Sequence, residues 1–290
     1  MTWLLFALLA AFGAAGMRLV NQHYAVSGFH LAILVKIVLA LVTVPFALFL
    51  GWPQSPVFYL AVCATIPLII FGDQMVFNLC ARYGSGPVSR VEPLDNVIIF
   101  ILWSILNFSL LISYIQEPVR FGLIALSIMG SVLFAYNMRE SRVSLKVLKS
   151  VFPLVVAMAL VNILNKLAMD ASVGENGVLI YIFLQSALVG GAGLCYMAFF
   201  ARARALSVIG DMSFIKACVI ISFFSLVHIS TKANAFILVE NPAYVTVINL
   251  TAPVWILLYN RMTGYPDNIK ILPGLGIVLC AFVLILATHL

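Results

Sequence analysis

"SGPVSRVEPLDNVIIFILWSIL", residues Ser85 to Leu106, decides the fold when it is set beside "ENPAYVTVINLTAPVWILLYN", residues Glu240 to Asn260. Each stretch starts from a proline (Pro87, Pro242), keeps polar groups in its first turns and then runs apolar to a tryptophan (Trp103, Trp255). Each is followed by a turn ending in proline (Pro118, Pro266) and by a last apolar run that contains glycine. A proline opening a long apolar run suits the start of a helix, where its missing N–H is not needed. Two such units, one in each half, predict a duplicated chain.

Outward from these stretches, apolar runs of roughly 18 residues or more recur from one end to the other, each long enough to cross ~30 Å of hydrocarbon as a helix. The expected spans are Trp3–Val20, Phe29–Leu50, Phe58–Ala81, Val88–Ile112, Val119–Asn137, Val151–Met169, Val178–Phe200, Met212–Leu238, Ala243–Tyr259 and Ile271–Thr288. That is about ten at the usual ~20 residues per helix. Barrel strands would alternate polar and apolar residues, whereas these runs are apolar all round, so the fold class is an all-α polytopic membrane protein. The chain is 64% hydrophobic and 9% charged, against about 25% charged in soluble domains; a water-soluble enzyme is excluded. "WLLFALLAAFGAAGM" at the start has no basic residue ahead of it and no A-x-A exit, and is expected to be a retained span. The cysteines Cys63, Cys80, Cys195, Cys218 and Cys280 all fall in apolar runs without C-x-x-C spacing, and read as small buried hydrophobes rather than metal ligands or disulfides. The net charge of +6 sits in short loops beside spans, so it reports topology rather than nucleic-acid binding.

Residues 1–137 form the first half, 138–150 a basic linker and 151–290 the second half. An odd number of spans per half makes the second half enter the membrane the other way round. Such inverted repeats place the substrate near the midplane, where the halves meet, in a central cavity.

The fourth and fifth spans of each half, and above all "LTAPVWILLYNRMTG" followed by "PGLGIVLCAFVL", resemble the drug/metabolite transporter superfamily, EamA-type branch. The resemblance covers essentially the whole chain. It implies a basket of ten helices around a cavity, secondary transport of small metabolites, and a bacterial inner (plasma) membrane. The family's acidic residue after the fourth helix has a counterpart in Glu117; the second half reads "RMTGYP", without an acid.

Loop charge gives the orientation. Arg82 and Arg90, then Arg139, Arg142, Lys146 and Lys149, then Arg202 and Arg204, then Arg261 and Lys270 all lie near loops that follow odd-numbered spans. The positive-inside rule makes that face cytoplasmic and puts both termini outside. The family implies the reverse; the charge bias belongs to this chain and is preferred.

Ionisable groups at membrane depth cost roughly 2.5–3.5 kcal/mol each and mark a functional path. Span one ends with Arg18 and Asn21, span two carries Lys36, and span three carries Asp73, Gln74 and Asn78. Span four has Glu92 and Asp95, three apart and so on one helix face. Asn162 and Lys166 lie on span six, Gln185 on span seven, and His228, Thr231 and Lys232 on span eight. With Pro87 aligned to Pro242, Asp73 stands opposite His228, and Lys36, Arg18 or Lys232, or water in the cavity, is expected to compensate it. These residues, with Trp103, Trp255 or Tyr244 placed to cover an ammonium by cation–π contact, form the expected cavity. Asp73, Glu92 and Asp95 are the candidate proton acceptors, because burial raises a carboxyl group towards the working pH. Mixed charge suits a zwitterionic or amine-like metabolite, such as an amino acid or a small amine. Small residues in "FGAAG" and "GGAG" read as close-packing surfaces.

With no nucleotide-binding motif, the energy must come from a gradient. The expected partners are a small-molecule substrate, membrane lipids and protons, in a monomer or homodimer, without nucleic acid; no cofactor or metal is expected. The alternatives are a flippase for lipid-linked headgroups and, less favoured for want of a nucleophile or metal motif, a membrane-embedded transferase.

Overall fold

The computed structural model describes residues 2–24, 28–83, 92–137, 145–174, 176–200, 211–264 and 271–288. Among them there is no strand. The helices are α1 (Thr2–Tyr24), α2 (Gly28–Phe49), α3 (Pro56–Tyr83), α4 (Asp95–Leu106), α5 (Phe108–Gln116), α6 (Pro118–Tyr136), α7 (Leu145–Asp170), α8 (Gly177–Phe200), α9 (Met212–Leu238), α10 (Pro242–Asn249), α11 (Ala252–Thr263) and α12 (Ile271–Ala287), with a 3-10 turn at Glu92–Leu94. Seven helical segments are long and apolar enough to cross a membrane, or eight if the bent pair α4–α5 counts as one span. Pro56–Gly72 and Leu272–Ala287 are shorter apolar helices of 10–17 residues. The chain is therefore an all-helical integral membrane protein by length and composition.

One expected span is sharply bent, and another is interrupted for two residues without a comparable bend. Val88–Ile112 was read as one span, but its described part bends by 102° between α4 and α5. The bend sits at Asn107, whose side chain caps the new helix by accepting from the Leu110 N–H at 3.4 Å. An asparagine offers the backbone that alternative to helical pairing. Ala243–Tyr259 is divided into α10 and α11 around Leu250–Thr251. Here Pro253 has no N–H to give the Asn249 carbonyl four residues back. The basic linker is also shorter than 138–150, because α7 begins at Leu145; residues 138–144, with Arg139 and Arg142, lie outside the described residues.

The helices pair between the halves. α1 lies along α9, α2 along α8, α3 along α7 and α6 along α12, while α4 packs on α10. Glycines permit the closest approaches. A Cβ at Gly13 would stand 2.8 Å from the His228 backbone nitrogen, and one at Gly193 would stand 2.6 Å from the Ile33 side chain. The two small-residue segments thus do close-pack α1 on α9 and α8 on α2. The cysteine reading needs correction: Cys218 and Cys280 are buried, but Cys63 and Cys195 face outward. On a lipid-facing surface the outside is as apolar as the core, so an apolar run does not reveal which side a residue takes.

Candidate functional site

α7 carries Asn162, Asn165 and Lys166, spaced so that they share one helix face. Polar side chains from four other helices converge on that stripe. Lys232 of α9 donates from Nζ to the Asn162 amide oxygen at 2.8 Å, while Asn162 gives its own NH2 to the Met158 carbonyl at 3.0 Å. The Lys232 ammonium also lies 5.6 Å from the Phe236 ring centroid, and the Asp95 carboxylate at the head of α4 acts on it through space.

A second chain of bonds arrives from α2 and α8. Lys36 donates to the Gln185 amide oxygen at 3.5 Å, Gln185 donates to the Tyr181 hydroxyl, and Tyr181 donates to the Asn165 amide oxygen at 2.5 Å. Every member passes a hydrogen in the same direction, so each rotamer is fixed by the next. Gln185 and Tyr181 are 3% and 2% exposed; polar groups buried that deeply are tolerated because they are bonded.

Lys166, the third residue of the stripe, is 4% exposed and forms an ion pair with Asp170 one turn on. Its ammonium lies 5.9 Å from the Trp103 ring centroid, and the Trp103 indole N–H donates to the Glu240 carbonyl at 2.7 Å. Trp103 is thus engaged by the protein's own cation. Trp255 is 37% exposed and meets Phe12 edge-on at 5.9 Å, in an aromatic group with Phe224. The structure does not bring it to the α7 stripe.

His228 reaches back to α1. Its Nδ1 is 2.8 Å from the Ala10 carbonyl oxygen, which can only accept, so Nδ1 carries the hydrogen. Lys232, Arg18 and Lys36 all act electrostatically on this ring. Thr231 turns inward on its own helix, donating to the Val227 carbonyl at 2.7 Å. Arg18 and Asn21 are exposed at the far end of α1. Asp73, Gln74 and Asn78 lie on α3, and Glu92 in the 3-10 turn; their side chains are outside the described residues.

A separate tie joins the halves at one end of the bundle. Arg120 of α6 donates to Glu117 at 3.0 Å and to Glu240 at 3.2 Å. Beside it the Tyr114 and Tyr244 hydroxyls share a bond of 2.5 Å between α5 and α10. Sequence reasoning did not single out Tyr114 or Tyr181, since a tyrosine in an apolar run gives no sign of which groups its hydroxyl will meet. Among the described residues no three His, Cys, Asp or Glu side chains assemble into a metal site. The chain matches no protein-family model and no curated protein.

Proposed function

We propose that this chain is a secondary transporter of the drug/metabolite type, moving a small zwitterionic or amine-like metabolite by alternating access between two inverted five-helix repeats. The observation that carries the reading is the meeting, on one stripe of α7 inside the bundle, of Lys232 with Asn162 and of the Lys36–Gln185–Tyr181 chain with Asn165, with the Asp95 charge acting on Lys232. Charges at that depth are expensive and mark a path for a polar solute.

The packing order supports the duplication. Exchanging the halves turns the α1–α9 contact into the α7–α3 contact, the α2–α9 contact into the α8–α3 contact, and the α1–α10 contact into the α7–α4 contact. All six contacts exist. Whereas α7–α9 and α1–α11 have no counterpart of comparable extent among the described residues, α2–α8, α4–α10 and α6–α12 map onto themselves. A two-fold axis in the membrane plane has that consequence, and it puts the solute at the interface of the repeats. The protein lies in a plasma membrane with its basic face in the cytoplasm, and protons bound at Asp73, Glu92 or Asp95 couple transport to the gradient.

The test is uptake in proteoliposomes over a panel of metabolites, with and without an imposed pH gradient, preceded by a thermal-shift screen of the purified protein. A solute that binds only the folded state raises the melting temperature. Binding without any counterflow or gradient-driven uptake would refute transport.

A further inference from the structure

The bend at Asn107 is secured at both ends of α5. The Asn107 side-chain oxygen accepts the Ser109 hydroxyl at 2.8 Å as well as the Leu110 N–H. At the other end the Glu117 N–H closes α5 on the Ser113 carbonyl at 3.0 Å, just before Pro118 opens α6. α5 therefore runs at 102° to α4 and joins two helices across one end of the bundle, beside the accessible Glu117 and Glu240 carboxylates. At 3.6 residues per turn its surface divides into three flanks. Leu110 and Tyr114 face the bundle. There Tyr114 is 1% exposed, lies 5.6 Å from Phe100 and 5.7 Å from Phe121 between ring centroids, and shares its hydroxyl bond with Tyr244 of the other half. Ser109, Ser113 and Gln116 make a polar flank. Phe108, Ile112 and Ile115 make an apolar one, and they are 67%, 40% and 70% exposed.

We infer that α5 is a lid lying in the membrane surface, with its Phe108–Ile112–Ile115 flank seated among lipids, so that the bilayer helps to hold Tyr114 on Tyr244. A helix with one flank for the bundle, one polar and one apolar fits where protein, water and hydrocarbon meet, at the headgroup boundary. Neither alternative accounts for that division. A membrane span is apolar on every outward face, and a loop helix in water turns its apolar residues inward. The apolar flank is also continuous with the outward apolar surface of both neighbours. Ile105 and Leu106 at the end of α4 and Val119 at the start of α6 are all more than half exposed. On a bundle that crosses a bilayer, that surface meets lipid, and lipid is therefore the occupant of the flank. Swinging α5 off the bundle would turn the flank out of lipid into water, so its seating favours the closed position. The inference needs a membrane protein and does not rest on the transport reading.

The experiment attaches a nitroxide to Phe108→Cys, Ser109→Cys, Ile112→Cys, Ile115→Cys or Gln116→Cys, with the native cysteines replaced by alanine. In vesicles of phosphatidylcholine and phosphatidylglycerol, collisions with oxygen report lipid and collisions with a water-soluble nickel chelate report water. Oxygen is expected to dominate at residues 108, 112 and 115 and the chelate at 109 and 116, with no steady change along the helix. A steady change in depth of ~1.5 Å per residue would make α5 a continuation of the crossing, and chelate access at all five positions would place it clear of the bilayer. Either result overturns the inference. So does spin–spin broadening at 108, 112 and 115 that fades on dilution with unlabelled protein, since a second copy would then cover the flank. If the cysteine-free background does not fold, a photoactivatable residue at the same five positions in the wild-type chain reads the same contrast as crosslinking to lipid. The lid is read through Ser104→Cys, a buried position beside Asn241. An impermeant maleimide is expected to label it several-fold faster when Phe108, Ile112 and Ile115 are all changed to serine, as when Tyr114→Phe removes the bond to Tyr244, and at the unchanged rate when all three are changed to leucine. No acceleration with serine, or the same acceleration with leucine, overturns the lid. None of these readouts uses a solute, so the inference and the transport reading fail independently.

Discussion

Lys232 on α9 is held by the amide oxygen of Asn162 on α7, 2.8 Å away, and the Asp95 carboxylate acts on it electrostatically. A neutral amide compensates a buried ammonium only in part, so the two residues are not equivalent. Either single substitution should lower the melting temperature: Asn162→Leu strands the cation, and Lys232→Met leaves the buried Asn162 Oδ1 without its donor, since the bond to Met158 engages only the NH2 group. The double-mutant cycle should show a coupling of roughly 0.5–3 kcal/mol, as for residues in contact. Additivity would show that the bond contributes nothing.

The tie at the end of the bundle separates stability from conformation. Arg120 and its carboxylates are solvent-accessible, so Arg120→Met should cost no more than about 1 kcal/mol in denaturant unfolding. Yet the pair joins α6 of one half to the α9–α10 junction of the other. We predict that the substitution increases labelling of a cysteine placed at Ser104, next to Asn241, by an impermeant maleimide. Labelling equal to that of the single-cysteine parent would show that this tie does not hold the end closed.

The spans were legible because their signal is length and apolarity, which survive any packing: α1, α2, α6, α8 and α9 fall within a few residues of expectation. The breaks were not, since Asn107 and Pro253 act through single backbone groups that an apolar count does not register. The site was half legible. Lys36, Gln185, Asn162 and Lys232 could be named from their cost at membrane depth, and Lys36 and Gln185 meet in the structure. Which amide takes which cation depends on helix rotation, and periodicity does not fix rotation in runs that are apolar all round.

Gly13 provides a test of the closest packing. Alanine usually stabilises a helix interior by roughly 0.5–1 kcal/mol relative to glycine. At Gly13 the new Cβ would stand 2.8 Å from the His228 nitrogen and 2.9 Å from the Phe224 oxygen, both backbone atoms that cannot swing aside. The clash should win, and Gly13→Ala should lose about 1–3 kcal/mol and disturb the His228–Ala10 bond. Gly191, whose added Cβ would meet nothing within 4 Å, is the control; Gly191→Ala should be neutral or stabilising. A stable Gly13→Ala would show that α1 and α9 lie further apart.

Orientation follows from charge. Lys149 is exposed in the first turns of α7, a few residues after Arg139 and Arg142 in the sequence. A reporter that is active only outside the cytoplasm should be active when fused at Leu290, and a cysteine at Lys149 should resist impermeant reagents in intact cells. The opposite pattern at both positions would replace the charge-based orientation with that of the family the sequence resembles.

Asp73 carries the coupling prediction. Its expected counter-charges included Lys36 and Lys232, and Lys232 is now accounted for by Asn162. Lys36 lies on α2, which packs against α3 where Asp73 resides. An ammonium and a carboxylate at 4 Å gain about 4 kcal/mol at an effective ε of ~20, enough to offset the cost of inserting either one. Asp73→Asn combined with Lys36→Met should therefore be less damaging than the sum of the two single changes. Combined with Lys232→Met it should be additive within roughly 0.3–0.5 kcal/mol. In proteoliposomes Asp73→Asn should abolish uptake driven by a pH gradient while solute exchange at equal pH continues, because the amide keeps the shape and loses the proton. If gradient-driven uptake persists in Asp73→Asn, the proton is carried by Glu92 or Asp95 instead.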